Sequence, residues 1–325
     1  MSVPAISVVF PTVRDQCAFD WFADALGREL RDGDDVEVIV VDALHDAARG
    51  THFRACAAGR FPVVHVAPKP TPYQGPHRRT SRDCFAAASA RNTGIVHARA
   101  PYVVFADDCA LPMPGWWRAV RRAAMNGEVV AGAYQKRWDM RVVDGALASG
   151  RLEASGVDSR WSHGDDARPV PIEGGRLYGA SFGVPRDLML AINGLDELCD
   201  SIGGEDCQLG IRLVQAGATI LYDRAMLTVE SEELGRRGTP YLRVDRVLPG
   251  PAYMERLAEF GLDRRSTTGR CDASHMVLDV TLGTGSWATY GNAFWLADLA
   301  PDGFEATIAR FPDTHWFDRC PLPSL

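Results

Sequence analysis

The chain opens with a short apolar, β-branched run from Ala5 to Phe10 that stops at Pro11, after which the apolar positions change period. Phe19, Phe22, Ala23, Leu26 and Leu30 follow at the spacing of one helix face, so the pattern predicts a strand and then an amphipathic helix. Val36 to Val41 is a second continuous apolar run, short enough for a buried strand and ended by Asp42, and Val63 to Val66 predicts a third. Pro68 to Pro76 holds too many prolines for regular structure. Ser81 to Ala98 is alanine-rich and predicts a helix with Ser81 or Asp83 near its start. Tyr102 to Ala106 is another buried strand, closed by Asp107 and Asp108. A proline-marked turn then leads to Trp116, Val120, Ala123 and Ala124 at helical spacing, and to an apolar run at Val129 to Ala131.

Strands alternating with helices favour a mostly parallel sheet covered on both faces, and such open sheets bind ligands beyond the carboxyl ends of their strands. Pro11 with Thr12, Asp42, and Asp107 with Asp108 all fall at strand ends, where a single ligand would meet them. Gln135 to Gly175 lacks clear periodicity and predicts hairpins or a mobile loop. Helical spacing resumes at Pro185 to Ile192 and at Cys207, Gly210, Ile211 and Val214, with Gly217 as the stop and a strand at Thr219 to Tyr222. Beyond Glu233 the breaks at Gly235, Gly238 to Pro240 and Pro249 to Pro251 mark a change of character. The expected organisation is a main domain over 1–232 and an extension over 233–325 packed on it.

Composition narrows the function classes. With 325 residues, 46% of them hydrophobic, the chain can bury a large core. A formal net charge of -7 and a pI near 5.6 disfavour broad nucleic-acid or anionic-membrane binding. No apolar stretch is long enough to span a bilayer, and Met1 to Ile6 lacks the features of a signal peptide, so a cytoplasmic location is expected. The eight cysteines form no CxxC pair, so free, mostly buried thiols are expected.

Three constellations carry candidate chemistry. Asp107 and Asp108 end a buried strand, where paired carboxylates hold a hard divalent cation or simply cap a turn. Gly203-Gly204-Glu205-Asp206 opens a helix, placing two carboxylates where one can take a proton from a hydroxyl, or where acids merely complement the helix dipole. Ala90-Arg91-Asn92-Thr93-Gly94 precedes the acidic strand, and its arginine suits diphosphate oxygens or a solvated helix face. Arg78, Arg79 and Arg82 form a further basic cluster, either phosphate-binding or solvated.

In this order, with Val9-Phe10-Pro11-Thr12-Val13-Arg14 and Val40-Val41-Asp42 ahead of them, these segments resemble the family 2 inverting glycosyltransferases of the GT-A fold. The helix-opening motif is also similar to the galactosyltransferase-like half of bacterial polysaccharide polymerases. The resemblance spans about Ile6 to Glu230. It implies an α/β GT-A fold with a nucleotide-binding part over about 1–133 and an acceptor part over about 134–232. It also implies transfer of a sugar, with inversion, from a nucleotide-sugar donor, a UDP-sugar by analogy, to a hydroxyl acceptor on a glycan, a lipid-linked glycan or a small molecule. Pro11, Thr12 and Arg14 would border base and ribose, Asp42 would bond them, and Arg91 with Asn92 would shape the nucleotide pocket. Asp107 and Asp108 would hold Mn2+ or Mg2+, Asp206 would be the general base and Glu205 would hold the acceptor. Gly179 to Phe182 would line the sugar and acceptor pocket.

Two positions depart from the pattern. Cys109 stands where the family's last metal-binding acid is expected, and a soft thiol suits Mg2+ or Mn2+ poorly, which leaves the role to Asp108 or weakens metal dependence. The late metal-binding histidine is missing too, with Glu230 or Glu232 as oxygen substitutes and His163 as the remaining histidine candidate. These departures keep open a nucleotide-sugar-binding protein without transfer activity. Nucleotidyl transfer is the third reading, although the glycine-rich, lysine-bearing loop often used for it is missing. Trp287, Trp295 and Trp316 in the extension would stack on an acceptor or anchor the tail, and Tyr290-Gly291-Asn292 would form a turn near the site.

Overall fold

The structure, a computed structural model, describes residues 5–69, 86–165, 167–200, 204–236 and 296–299. In chain order the elements are β1 (Ile6–Thr12), α1 (Phe19–Glu29), β2 (Val36–Asp42), α2 (Ala47–Ala57), β3 (Val63–Val66), α3 (Ala87–His97), β4 (Tyr102–Ala106) and β5 (Ala110–Pro112). There follow α4 (Trp116–Asn126), β6 (Val129–Val143), β7 (Ala146–Val157), β8 (Val170–Ile172), β9 (Ser181–Pro185), α5 (Arg186–Ala191), α6 (Glu205–Gln215), β10 (Ile220–Ser231) and α7 (Glu232–Arg236). One mixed sheet runs in the order β3-β2-β1-β4-β9-β6-β10-β5, with β7 beside β6 and β8 beside β10.

The first four strands of that order are mutually parallel. Their side chains alternate between two cores because successive Cβ atoms point to opposite faces. Val9, Ile39, Val41, Val103 and Phe105 pack on one side against Ile95 and Val96 of α3. Val8, Phe10, Val38, Val40 and Val104 pack on the other against Phe19, Phe22 and Trp116 of α1 and α4. Burial on both faces is why these strands are apolar throughout, and each large apolar side chain fully removed from water contributes about 1.5–3 kcal/mol. α3 lies so close to β1 that a Cβ at Gly94 would collide with Val9.

The second half departs from a purely parallel plan. β9 runs antiparallel to both β4 and β6, whereas β10 is parallel to β6. The stretch from Gln135 is ordered as a long hairpin of β6 and β7, closed by Asp144 and Gly145, both at positive φ (47° and 69°). An Asp-Gly pair with that backbone matches the twist of a two-residue hairpin.

Two expectations are corrected. Of the expected Cys207, Gly210, Ile211 and Val214 only Gly210 is buried on α6; Gln208, Leu209, Arg212 and Leu213 are buried beside it, and Val214 is 44% exposed. Gln208 and Arg212 turn inward because Asp196 and the carbonyls of Ile192 and Gly194 receive them there, which apolar spacing cannot register. α3 has no local side-chain cap; Asp200, far along the chain, accepts from the N–H groups of Ala88 (2.7 Å) and Ser89 (3.2 Å). Ser81 and Asp83 lie outside the described residues, as do the arginine cluster at 78, 79 and 82, Gly203, Trp287, Tyr290 to Asn292, Trp295 and Trp316. Of the extension beyond residue 236, only 296–299 is described. Leu296 and Leu299 are buried in the α3-side core, and the Leu296 N–H donates to Asn193 Oδ1 at 2.8 Å.

Candidate active site

Thr12 pairs with Asp42 across the parallel β1–β2 ladder, and Ile6 to Val9 of β1 pair with Tyr102 to Phe105 of β4, so the three strands end on one rim of the sheet. Asp107 and Asp108 continue from β4 into a turn in which the Ala110 N–H donates to Asp107 O at 3.2 Å. The Asp107 N–H bonds Ala180 O (3.2 Å), which joins this turn to the segment leading into β9. α6 starts nearby at Glu205, after Gly204 takes a left-handed φ of 86° that favours glycine.

Arg91, 3% exposed, connects the two acidic pairs. Its Nη1 donates to Glu205 Oε1 at 2.9 Å, and its Nη2 donates to Asp107 Oδ1 at 3.0 Å and to Gly179 O at 3.3 Å. The Gly179 N–H donates to Asp206 Oδ2 at 2.7 Å, and the Cys207 N–H holds the other Asp206 oxygen at 2.7 Å. A Cβ at Gly179 would stand 2.9 Å from Arg91 Nη2 and 3.4 Å from Asp206 Oδ2, so the glycine keeps this junction open. Asp107, Arg91, Gly179, Glu205 and Asp206 therefore form one cluster. Asp107 retains 31% side-chain exposure and Asp206 is half-buried, so the cluster opens to solvent on both its strand side and its helix side.

The other expected site residues are placed differently. Asp108 is buried, accepting from Thr12 Oγ1 at 2.7 Å and from Arg14, whose other nitrogens bond Leu234 O and Gly235 O. It is thus not free to take the role expected of an acid at position 109. Asp42 is fully buried, and its carboxylate is taken up by Arg49 (2.6 and 3.2 Å), His65 (3.0 Å) and the Leu44 N–H (2.9 Å). As placed, it organises the rim, since Arg49 also bonds the carbonyls of Arg14 and Asp15. Pro11 is buried within β1. Asn92 faces away from the cluster and clamps Leu195 through both its main-chain groups, together with Glu197, which also pairs with Lys69. His163 is exposed on a short 3-10 turn.

Charge balance explains the perturbed acids. Burial, then the neighbouring Asp206, pushes the Glu205 carboxyl up to about 7 despite Arg91. Burial does the same to Glu230, up to about 7, against the opposing pull of Lys136 and with Asp107 adding to the rise. Asp107 is raised by burial and by Asp108, with Arg91 and Arg14 opposing. Burial, then Glu230, pushes the Cys109 thiol well up, so it stays neutral and is a poor cation ligand.

For a divalent ion, among the described residues no group of three or more His, Cys, Asp and Glu is arranged to hold one. The residues fit the looser arrangement in which one or two carboxylates share the ion with substrate phosphates. Asp107 is the carboxylate of the strand-end pair that is open to solvent. Glu230 lies opposite Ala110 in the β10–β5 ladder, where the Ser231 N–H bonds Cys109 O at 2.9 Å.

No family profile matches the chain, and no curated protein matches it in sequence. Solved structures do match its architecture. A structure of GalNAc-T7 with UDP, GalNAc and Mn2+ superposes with a TM-score of 0.52 at 11% identity over 79% of this chain and 48% of that one. Residues 1–349 of S. aureus TarS superpose with a TM-score of 0.50 at 12% identity over 80% of this chain and 73% of that one. The fold is GT-A. The chain spans about half the length of the GalNAc-T7 chain it matches. Within this GT-A fold no described helix is long and apolar enough to cross a membrane.

Several residues of the site carry no motif. Arg49 and His65 on Asp42, Lys69 on Glu197, and Lys136 on Glu230 are brought in by other elements. Only an excess of acids over known cations in the sequence motifs hinted that such partners exist.

Proposed function

We propose that the protein is an inverting glycosyltransferase that moves a sugar from a nucleoside diphosphate donor to a hydroxyl acceptor. The observation that supports this most is the Arg91 junction, which draws the strand-end acid Asp107 and the helix-opening acids Glu205 and Asp206 into one cluster. UDP is the proposed nucleotide because GalNAc-T7, which shares the fold, was solved with it.

In this reading the acceptor hydroxyl gives its proton to Asp206, whose carboxylate is aimed by the Gly179 and Cys207 N–H groups. The hydroxyl oxygen bonds the anomeric carbon from the face opposite the leaving group, and the carbon–oxygen bond to the diphosphate breaks with its electron pair leaving on the diphosphate. Glu205, held by Arg91, accepts a hydrogen bond from the acceptor. Arg91 places a fixed positive charge at the junction where negative charge develops, and such preorganised charge is commonly the largest contribution to catalysis. Asp107, with Glu230, would hold a divalent ion, which when bound neutralises the diphosphate. Residues 1–133 would supply the nucleotide pocket and 134–232 the acceptor side.

Asp206→Asn keeps the shape of the side chain and removes its basicity. Turnover should fall by about 10²–10⁴-fold while UDP still binds by calorimetry. Wild-type turnover in that variant would remove Asp206 from the chemistry. A nucleotide-sugar-binding protein without transfer is the second reading, favoured by the sequestered Asp108 and the neutral Cys109. Binding of UDP-sugar without donor turnover under Mn2+ or Mg2+ would select it.

A further inference from the structure

Next to the proposed base stands an aromatic surface that the chemistry above does not use. Tyr178 immediately precedes Gly179, the residue whose N–H aims Asp206. Its ring meets that of Tyr134 with centroids 6.0 Å apart and planes at 64°, and both side chains keep part of their surface in solvent. Of the two rings, Tyr178 is gripped from behind. Arg160, with no exposed surface, lies 4.5 Å from the ring centroid of Tyr178 and 4.5 Å from that of Tyr222. It is fixed by Asp158 (2.6 and 2.9 Å) and by the carbonyls of Gly132 (2.7 Å) and Arg176 (3.0 Å). A buried guanidinium held by one carboxylate and two carbonyls and packed on Tyr178 and Tyr222 leaves those two rings little freedom.

Polar groups border the pair. Tyr134 and Lys136 share a face of β6, and Lys136 Nζ lies 5.8 Å from the Tyr134 centroid and 3.4 Å from Glu230 Oε2. On the other flank the Ser159 hydroxyl lies 3.3 Å from the Tyr178 hydroxyl, and Asp206 follows through Gly179. The result is an aromatic surface anchored at Tyr178, with an ammonium over the Tyr134 ring and carboxylates and hydroxyls close by. A pyranose presents the complement: a rigid C–H face that packs on π-systems, ringed by hydroxyls that need donors and acceptors at its edge. A flexible peptide would gain less from a surface already locked in place, since it would have to be ordered on binding.

We propose that Tyr134 and Tyr178 form the acceptor subsite and that the acceptor is a glycan whose pyranose ring stacks there with a hydroxyl directed at Asp206. This rests on the transferase reading and adds to it the chemical class of the acceptor.

The test uses the full chain with UDP present, applied to an array of oligosaccharides spanning hexoses, N-acetylhexosamines, deoxyhexoses and uronic acids, beside an array of serine- and threonine-containing peptides. UDP binding is measured separately by calorimetry. The expected result is retention of at least one glycan class, weakened about tenfold or more by Tyr178→Ala and by Tyr134→Ala, and kept by Tyr178→Phe, with UDP affinity unchanged in all three. The retained UDP affinity reports that each variant is folded. UDP binding with no glycan retained, retention of peptides alone, or full glycan binding in both alanine variants overturns the glycan subsite and leaves the transferase reading standing. Failure of the wild-type chain to bind UDP or any nucleoside diphosphate overturns both.

Discussion

Arg91 is a buried cation whose two terminal nitrogens serve two carboxylates and a carbonyl, and its value lies in the fork of its guanidinium. Removing it would leave Glu205 buried and unpaired beside Asp206 and Asp107. Arg91→Ala is expected to cost about 3–5 kcal/mol of stability in urea unfolding, the range for breaking a buried pair by deleting one partner. A loss within error of zero would mean that the junction does not hold. The acids themselves give a pH signature. Glu205 and Glu230 rise from an ordinary 4.5 to about 7 on folding, so between those values the folded chain binds protons that the unfolded chain has released. Stability then falls as pH rises through that window; the penalty is absent below about 4.5 and complete above about 7. Glu230→Gln should flatten the fall of melting temperature between pH 5 and 7, and an unchanged slope would show that Glu230 ionises freely. At this scale the acids were legible in the sequence because they stand at strand ends and at a helix start. Their partners were not. Asp42 was expected to face a nucleotide, yet Arg49 from α2 and His65 from β3 occupy it, and no local pattern marks that meeting.

The helices and strands position these residues through a few tight contacts. α3 delivers Arg91 to the junction, and its approach to β1 depends on Gly94 lying against Val9. Gly94→Ala should destabilise the chain by about 1–3 kcal/mol through overpacking, which differential unfolding would read directly. An alanine that stabilises the chain, as helix propensity alone would have it, would show that α3 stands farther off. Asn92, at the middle of the same helix, clamps the 195–197 segment that leads towards α6. Most of these elements were visible as period changes in the apolar residues, since β1, β2 and β4 are buried on both faces. Two were obscured for physical reasons. The β6–β7 hairpin is half exposed and lacks an apolar stripe, which left the stretch from Gln135 open between hairpins and a mobile loop. α6 buries Gln208 and Arg212 on its inner face, so of its apolar spacing only Gly210 marked the true core.

For the molecule as a whole, the parallel order of β3, β2, β1 and β4 puts their carboxyl ends on one rim, and the later strands bring Gly179, Glu205 and Glu230 to that rim from the other half of the sheet. The mostly parallel part followed from alternating strands and helices, whereas the antiparallel insertion of β9 between β4 and β6 did not, because nothing local in Ser181–Pro185 encodes strand direction. The central claim is that this rim is one donor site spanning both halves. A crystal structure of the chain soaked with UDP and Mn2+ tests it most directly. The nucleotide is expected across the ends of β1 and β4, with its diphosphate beside Asp107 and its distal phosphate directed at the Glu205–Asp206 pair. UDP seated elsewhere, for example in the surface groove lined by Asp20, Asp24, Cys56 and Arg60, with the Arg91 junction left closed and unvisited, would contradict it.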